Sequence, residues 1–190
     1  MAPQSPSEAH RDHAGHAAHR QGSQSSDEHR DAAEELGSLK CAVVVVSDSR
    51  DESTDRSGGV AQGLIERFGH ELVGRELVKN DPAAIAARLQ RYAGSADFLA
   101  FCGGTGLGKH DVTVETVTPL LDKVLDGFGE AFRRFSWDEI GNAAILSRAV
   151  AGALRGTIVV CTPGSSAAVR LALEDIVLPE LRHLVREANR

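Results

Sequence analysis

The chain has 190 residues, 42% hydrophobic and 25% charged, with a formal net charge of −6. That balance fits one globular domain plus extra segments and gives no electrostatic footprint for nucleic acid. Aromatic residues, at 4%, are too few for base-stacking platforms. No apolar run approaches the roughly 20 residues that span a bilayer. The three cysteines, Cys41, Cys102 and Cys161, form no CxxC pair, and no apolar signal segment opens the chain. A reducing, cytoplasmic setting is therefore expected.

Residues 1–38 are rich in His, Ser, Gln, Glu and Arg and lack apolar periodicity, which predicts a disordered tail. Five of the eight histidines lie there, four of them (His10, His13, His16, His19) at three-residue spacing. No carboxylate or cysteine framework accompanies them, so a solvated tail is favoured over a metal tract. The domain proper is expected over 39–190.

Lys40–Ser47 is a short β-branched run, read as a strand buried on both faces of a parallel sheet. A polar loop from Asp48 to Arg56 follows. Ser57 reads as the N-cap of a helix through Val60, Leu64, Ile65 and Phe68, ended by Gly69. Glu71–Val78 reads as a second strand. Asp81-Pro82 opens a helix with Ile85, Leu89 and Tyr92 inward. Asp97–Cys102 is a third strand, and a glycine-rich loop follows it directly.

Beyond the loop, a helix is expected over Thr113–Val124 and a short one after Gly127. Two strands, Ala143–Leu154 and Thr157–Cys161, are expected to join through Arg155-Gly156. A last helix starts near Ser165, with a break at Pro179. Strands alternating with helices predict a three-layer α/β domain with a mostly parallel sheet.

The loop reads Gly103-Gly-Thr-Gly-Leu-Gly-Lys-His110. Without side chains at the glycines, backbone N–H groups can converge on an anion. The pattern matches a P-loop up to its last position, where His110 replaces the Ser or Thr that holds Mg²⁺. It also follows the third strand, not the first. The dinucleotide fingerprint fails too, because Lys109 stands where its third glycine belongs. Asp111, Thr113 and Glu115 come next. A carboxylate beside an anion loop calls for a cation between them, and Mg²⁺ bridging Asp111 and a polyphosphate supplies it.

Gly103-Gly-Thr-Gly…Asp111-Val-Thr-x-Glu115 resembles the signature of the molybdopterin-binding proteins of molybdenum cofactor biosynthesis, the adenylyltransferases and the similar biosynthesis protein B. Val46-Ser-Asp-Ser49 with Asp55-x-Ser57-Gly58 resembles another family segment. So do Gly127-Phe-Gly-Glu130-x-Phe-Arg133, Ser147-Arg148 and Pro163-Gly-Ser165, all in the family's order. The likeness covers nearly all of residues 40–186, and Phe135–Gly141 draws it toward the protein B branch.

The resemblance implies a three-layer α/β fold and assembly as a homo-oligomer, trimer or hexamer, with other proteins of the pathway as possible partners. It implies adenylylation of molybdopterin at its terminal phosphate by Mg²⁺-ATP, with release of pyrophosphate. By likeness, Asp81 and Asp111 are the catalytic and metal-binding carboxylates, although Asp81 reads equally as a helix cap. The nucleotide and substrate set is Gly103, Gly104, Thr105, Gly106 and Thr113, with Ser147 and Arg148 near the pterin end. Ser47, Asp48, Asp55, Ser57 and Gly58 form the other wall, unless Asp55 and Ser57 merely cap a helix. Pro163, Gly164 and Ser165 hold a phosphate or simply start the last helix. Glu130 is read as a structural partner of Arg133.

The chain departs from the adenylyltransferases at Cys102 (usually Thr), at Lys109-His110 (usually Arg before the aspartate) and at Val114 (usually Pro). Cys102 is expected to be small and buried, not a nucleophile. These departures leave open a non-catalytic molybdopterin carrier of the same fold, or a scaffold of the pathway that uses the tail.

Overall fold

The structure, a computed structural model, describes residues 36–190. The tail reading therefore lies outside the described residues except at its end, where the Arg182 side chain donates to the Gly37 carbonyl at 2.8 Å.

The elements run β1 (Lys40–Val46), α1 (Arg56–Arg67), β2 (Glu71–Val78), α2 (Pro82–Tyr92), β3 (Phe98–Cys102), α3 (Thr113–Val117), β4 (Lys123–Val124), α4 (Asp126–Ile140), β5 (Val150–Leu154), β6 (Thr157–Thr162), α5 (Ser166–Arg170) and α6 (Leu181–Ala188). One sheet has the order β2-β1-β3-β6-β5-β4. β2, β1, β3 and β6 are parallel, while β5 and β4 close one side antiparallel. The mostly parallel three-layer α/β reading holds.

Side chains alternate across a strand, and β1 shows how that builds two cores. Cys41, Val43 and Val45 pack with Leu64 and Ile65 of α1 and with Phe128 and Phe132 of α4. Ala42, Val44 and Val46 pack on the opposite face with Ile85, Leu89 and Tyr92 of α2. A strand covered on both sides needs no polar face, which is why its sequence is apolar throughout.

The chain leaves β1 for β2 on one side, then returns across β1 to β3 on the other. Strand order reverses there, and the C-terminal ends of β1 and β3 part to form a crevice. Such crevices are where open α/β sheets bind ligands.

Several expectations change. The N-cap of α1 is Asp55, whose carboxylate accepts from the Gly58 amide at 2.8 Å; Ser57 lies buried inside the first turn. The helix expected over Thr113–Val124 ends at Val117. Pro119 sits in a 3₁₀ turn, Thr118–Leu120, and Lys123–Val124 pairs with β5 as an edge strand. The helix after Gly127 is long, spanning Asp126–Ile140.

The apolar run expected as one strand, Ala143–Leu154, divides. Gly141–Leu146 is 3₁₀, and only Val150–Leu154 is strand. Ile145 and Leu146 are 72% and 57% exposed, and Ala144 is the one buried residue of this part of the run. Asp81 caps α2 and Pro82 opens it, as expected. The break at Pro179 is a 3₁₀ turn, Leu178–Glu180, preceded by a π-helical segment, Leu171–Val177. Among the described residues Glu130 makes no ion pair with Arg133, so the expected structural pair is absent.

Candidate active site

A cavity of about 670 Å³ opens at the C-terminal ends of β1, β3 and β6. That volume suits a nucleotide-sized or cofactor-sized ligand. Three loops build its walls.

The first loop follows β1. Ser47 Oγ accepts from the amides of Ser49 and Arg50 at 3.3 and 3.2 Å, which turns the chain sharply. Asp48 accepts from the Asn80 backbone and side-chain amides at 3.0 and 3.1 Å, tying this loop to the end of β2. The Asn80 amides, backbone first, hold the Asp48 carboxyl below the usual carboxylate range. Ser47, Asp48, Ser49, Arg50 and Asn80 all line the cavity.

The glycine loop follows β3. Gly103 has φ +112, and a Cβ there would stand 2.3 Å from the Val46 carbonyl oxygen. Only glycine lets β3 leave the sheet so close to the end of β1. Thr113, fully buried, holds the loop from behind: its hydroxyl donates to Gly103 O and its amide to Gly104 O, each at 2.9 Å. Asp111 Oδ2 accepts from the Gly108 amide at 3.1 Å and closes the turn. Arg148 Nη1 donates to Gly106 O at 3.0 Å, and Nη2 pairs with Glu115. The amides of Gly104, Thr105 and Gly106 donate to no protein group among the described residues.

The third loop follows β6. Pro163, Gly164 and Ser165 line the cavity, and Ser165 Oγ caps α5 by accepting from the Ala168 amide at 3.2 Å. Gly164 packs against Gly103, so the second and third loops meet glycine to glycine. Ile140, Ala143 and Leu146, with Ser147, form an apolar wall across the opening.

Eleven of the residues expected in the site converge on this cavity: Ser47, Asp48, Gly103, Gly104, Thr105, Gly106, Asp111, Ser147, Pro163, Gly164 and Ser165. Six do not line it. Thr113 and Arg148 act on the glycine loop from behind. Asp55 is buried and paired with Arg75 at 2.7 Å, and Ser57 and Gly58 pack around it. Burial opposes the Asp55 charge, but the Gly58 amide, Arg75 and Ser57 outweigh it and lower its pKa. Asp81 is exposed, and its carboxylate accepts from the Ala84 amide at 3.0 Å as a helix cap.

Arg50 and Asn80 were missed by sequence reasoning. Each adjoins a residue that was picked, Arg50 after Ser47-Asp-Ser49 and Asn80 before Asp81. Cys102 is fully buried, and burial pushes its thiol up to about 12. It is a packing residue at neutral pH.

Among the described residues no group of three or more His, Cys, Asp or Glu side chains could hold a metal ion alone. Mg²⁺ does not need one: it commonly takes one or two carboxylates with substrate phosphates and water. Asp111 fits such a role. It lines the cavity, and its Oδ1 has no protein partner among the described residues.

The fold and the three-loop cavity define an α/β domain with a ligand-sized crevice at the C-terminal ends of its parallel strands. Residues 42–183 match the family model described as "probable molybdopterin binding domain", and the chain belongs to that family. Within it, the chain is 43% identical over 171 residues to molybdenum cofactor biosynthesis protein B of Bacillus subtilis (strain 168), covering 87% of this chain and 98% of that protein. A crystal structure of molybdenum cofactor biosynthesis protein B superposes with TM-score 0.76 at 43% identity, covering 80% of this chain and 97% of that one. The tungsten cofactor synthesizing protein MoaB of Pyrococcus furiosus superposes with TM-score 0.74 at 35% identity, covering 80% and 98%. Among the described residues no helix is long and apolar enough to cross a membrane.

Proposed function

We propose that this chain serves molybdenum cofactor biosynthesis by joining molybdopterin to AMP. In this reaction the terminal phosphate oxygen of molybdopterin attacks the α-phosphorus of ATP. The new P–O–P bond forms as the α–β bridging bond breaks, and pyrophosphate leaves. The observation that carries the reading is the set of three amides, Gly104, Thr105 and Gly106, which donate to no protein group among the described residues and line the cavity beside Asp111.

The chemical difficulty is the approach of one phosphate to another. Positioning and charge neutralisation are what a protein contributes to phosphoryl transfer. The free amides hold phosphate oxygens. Thr113 and Arg148 fix the direction of those amides from behind the loop. Asp111 is the residue that would hold Mg²⁺, which supplies the charge to offset the triphosphate. Ser147 and the Ile140–Leu146 wall take the less polar end of the ligand. We keep Asp81 as the second candidate carboxylate from the resemblance; its position as an exposed helix cap gives it no support from geometry.

A second reading, a molybdopterin carrier without turnover, is favoured by that placement of Asp81 outside the cavity. Both readings share self-association implied by the family, supported by exposed Phe135, Trp137, Ile140, Ile145 and Leu146.

The test is pyrophosphate release and adenylylated molybdopterin from purified protein, molybdopterin, ATP and Mg²⁺. Wild-type product, lost in Asp111→Asn at an unchanged unfolding midpoint, supports the enzyme and its metal ligand. Asp81→Asn, which keeps the cap, decides whether that carboxylate takes part. Tight molybdopterin binding with no product supports the carrier.

A further inference from the structure

Arg50 is half-buried and lines the cavity. Its Nη1 is committed to the protein, donating to Ser57 Oγ at 2.8 Å and to Gly164 O at 2.9 Å. Those two bonds anchor the side chain between the start of α1 and the loop after β6. Its Nε and Nη2 have no partner among the described residues. A guanidinium carries five N–H donors in a planar fork. Anchored through one nitrogen, this one keeps three of them for something else.

The charge around it is telling. The cavity is lined by two carboxylates, Asp48 and Asp111, and by the imidazole of His110. Among the described residues Arg50 is the only lining side chain with a permanent positive charge. Arg148, the other arginine near the loop, spends itself on Gly106 O and Glu115. A polyphosphate bound on the Gly104–Gly106 amides brings several charges, and the amides neutralise only part of them. Gly164, whose carbonyl holds Arg50, packs against Gly103 at the head of the glycine loop. The guanidinium is thus fixed to the wall nearest those amides.

We propose that Arg50 is a phosphate-binding residue of this site, its Nε and Nη2 donating to an oxygen of the same phosphate chain that the glycine-loop amides hold. The assignment rests on the reading of this cavity as a phosphate-ester site. It adds a ligand contact that neither the glycine loop nor Asp111 provides. The planar fork matters because two parallel donors fix the orientation of a phosphoryl group as well as attract it. Arg50→Lys keeps the charge but cannot hold Ser57 and Gly164 while presenting two further donors.

The experiment is calorimetric titration of the full-length protein with inorganic pyrophosphate, at two ionic strengths. The variants are Arg50→Gln, Arg50→Lys and Ser57→Ala. Ser57→Ala removes one anchor of Arg50 and leaves its charge in place. Direct contact predicts that Arg50→Gln weakens pyrophosphate binding about 10- to 100-fold, the range of charge-assisted hydrogen bonds. It also predicts a flatter salt dependence, a loss under about 3-fold in Ser57→Ala, and an intermediate value for Arg50→Lys.

If wild type fails to bind pyrophosphate, the phosphate-site reading itself is wrong. If wild type binds and Arg50→Gln binds equally well, only the Arg50 assignment is overturned. If Ser57→Ala loses as much as Arg50→Gln, Arg50 is a strut between loops and the assignment also fails. Should Arg50→Gln not fold, the Arg50→Lys and Ser57→Ala pair decides alone: near-wild-type binding in both overturns the contact.

Discussion

Thr113→Val isolates the force that shapes the glycine loop. The substitution keeps the volume of a fully buried side chain and keeps the Thr113 amide bond to Gly104 O. It removes the hydroxyl that donates to Gly103 O at 2.9 Å, the only hydrogen bond that carbonyl receives among the described residues. A hydrogen bond made in both states contributes about 1 kcal/mol net, but a buried acceptor left without a donor costs about 1–3 kcal/mol. The expected destabilisation is therefore about 1–3 kcal/mol. For a domain of this size that lowers Tm by about 3–9 °C. Urea unfolding measures it directly, as a shift in midpoint at constant slope. Pyrophosphate affinity should fall with it, because the Gly104–Gly106 amides lose their backing, while Thr113→Ser should keep that affinity. A loss below about 0.5 kcal/mol would refute the argument that this hydroxyl holds the loop.

Other outcomes follow from the same geometry. Gly103→Ala places a Cβ 2.3 Å from the Val46 carbonyl at φ +112; strain and strand displacement together should cost more than about 3 kcal/mol, read as loss of soluble protein or a steep fall in Tm. Asp55 has a lowered folded pKa, so its pairing with Arg75 stabilises fully above the unfolded carboxylate value of about 3.9 and is lost as pH falls through the folded value. The stability gap between wild type and Asp55→Asn should therefore close on acidification below about pH 4; a gap independent of pH would mean that the charge is immaterial. Burial raises the Cys41 and Cys102 thiols to about 12 and pushes Cys161 up as well, so a thiol reagent at neutral pH should label them only on unfolding.

The parallel core was legible because β1 and β3 are apolar on both faces, a pattern only a covered strand can carry. The glycine loop was legible because its spacing and its aspartate stand together in sequence. Gly141–Leu146 misled because apolar composition alone does not say whether a segment faces a core or solvent. Asp55 and Ser57 exchanged roles because both are good caps, and only the position of Arg75, twenty residues on, selects the aspartate. Arg50 stayed hidden because its partners come from two other elements, Ser57 from the first turn of α1, 7 residues on, and Gly164 from the loop after β6, 114 residues on.

The two borders of the sheet differ in a way that bears on assembly. On one side the last strand, β4, has two residues, too short to template a further strand. On the other, β2 runs eight residues with charged Glu71, Arg75 and Glu76 along it, and Asp55 and Arg88 reach over to pair with two of them. Neither border invites continuation of the sheet into a neighbouring molecule. Copies of this chain that meet are therefore expected to do so through helices and loops and not by adding strand to strand.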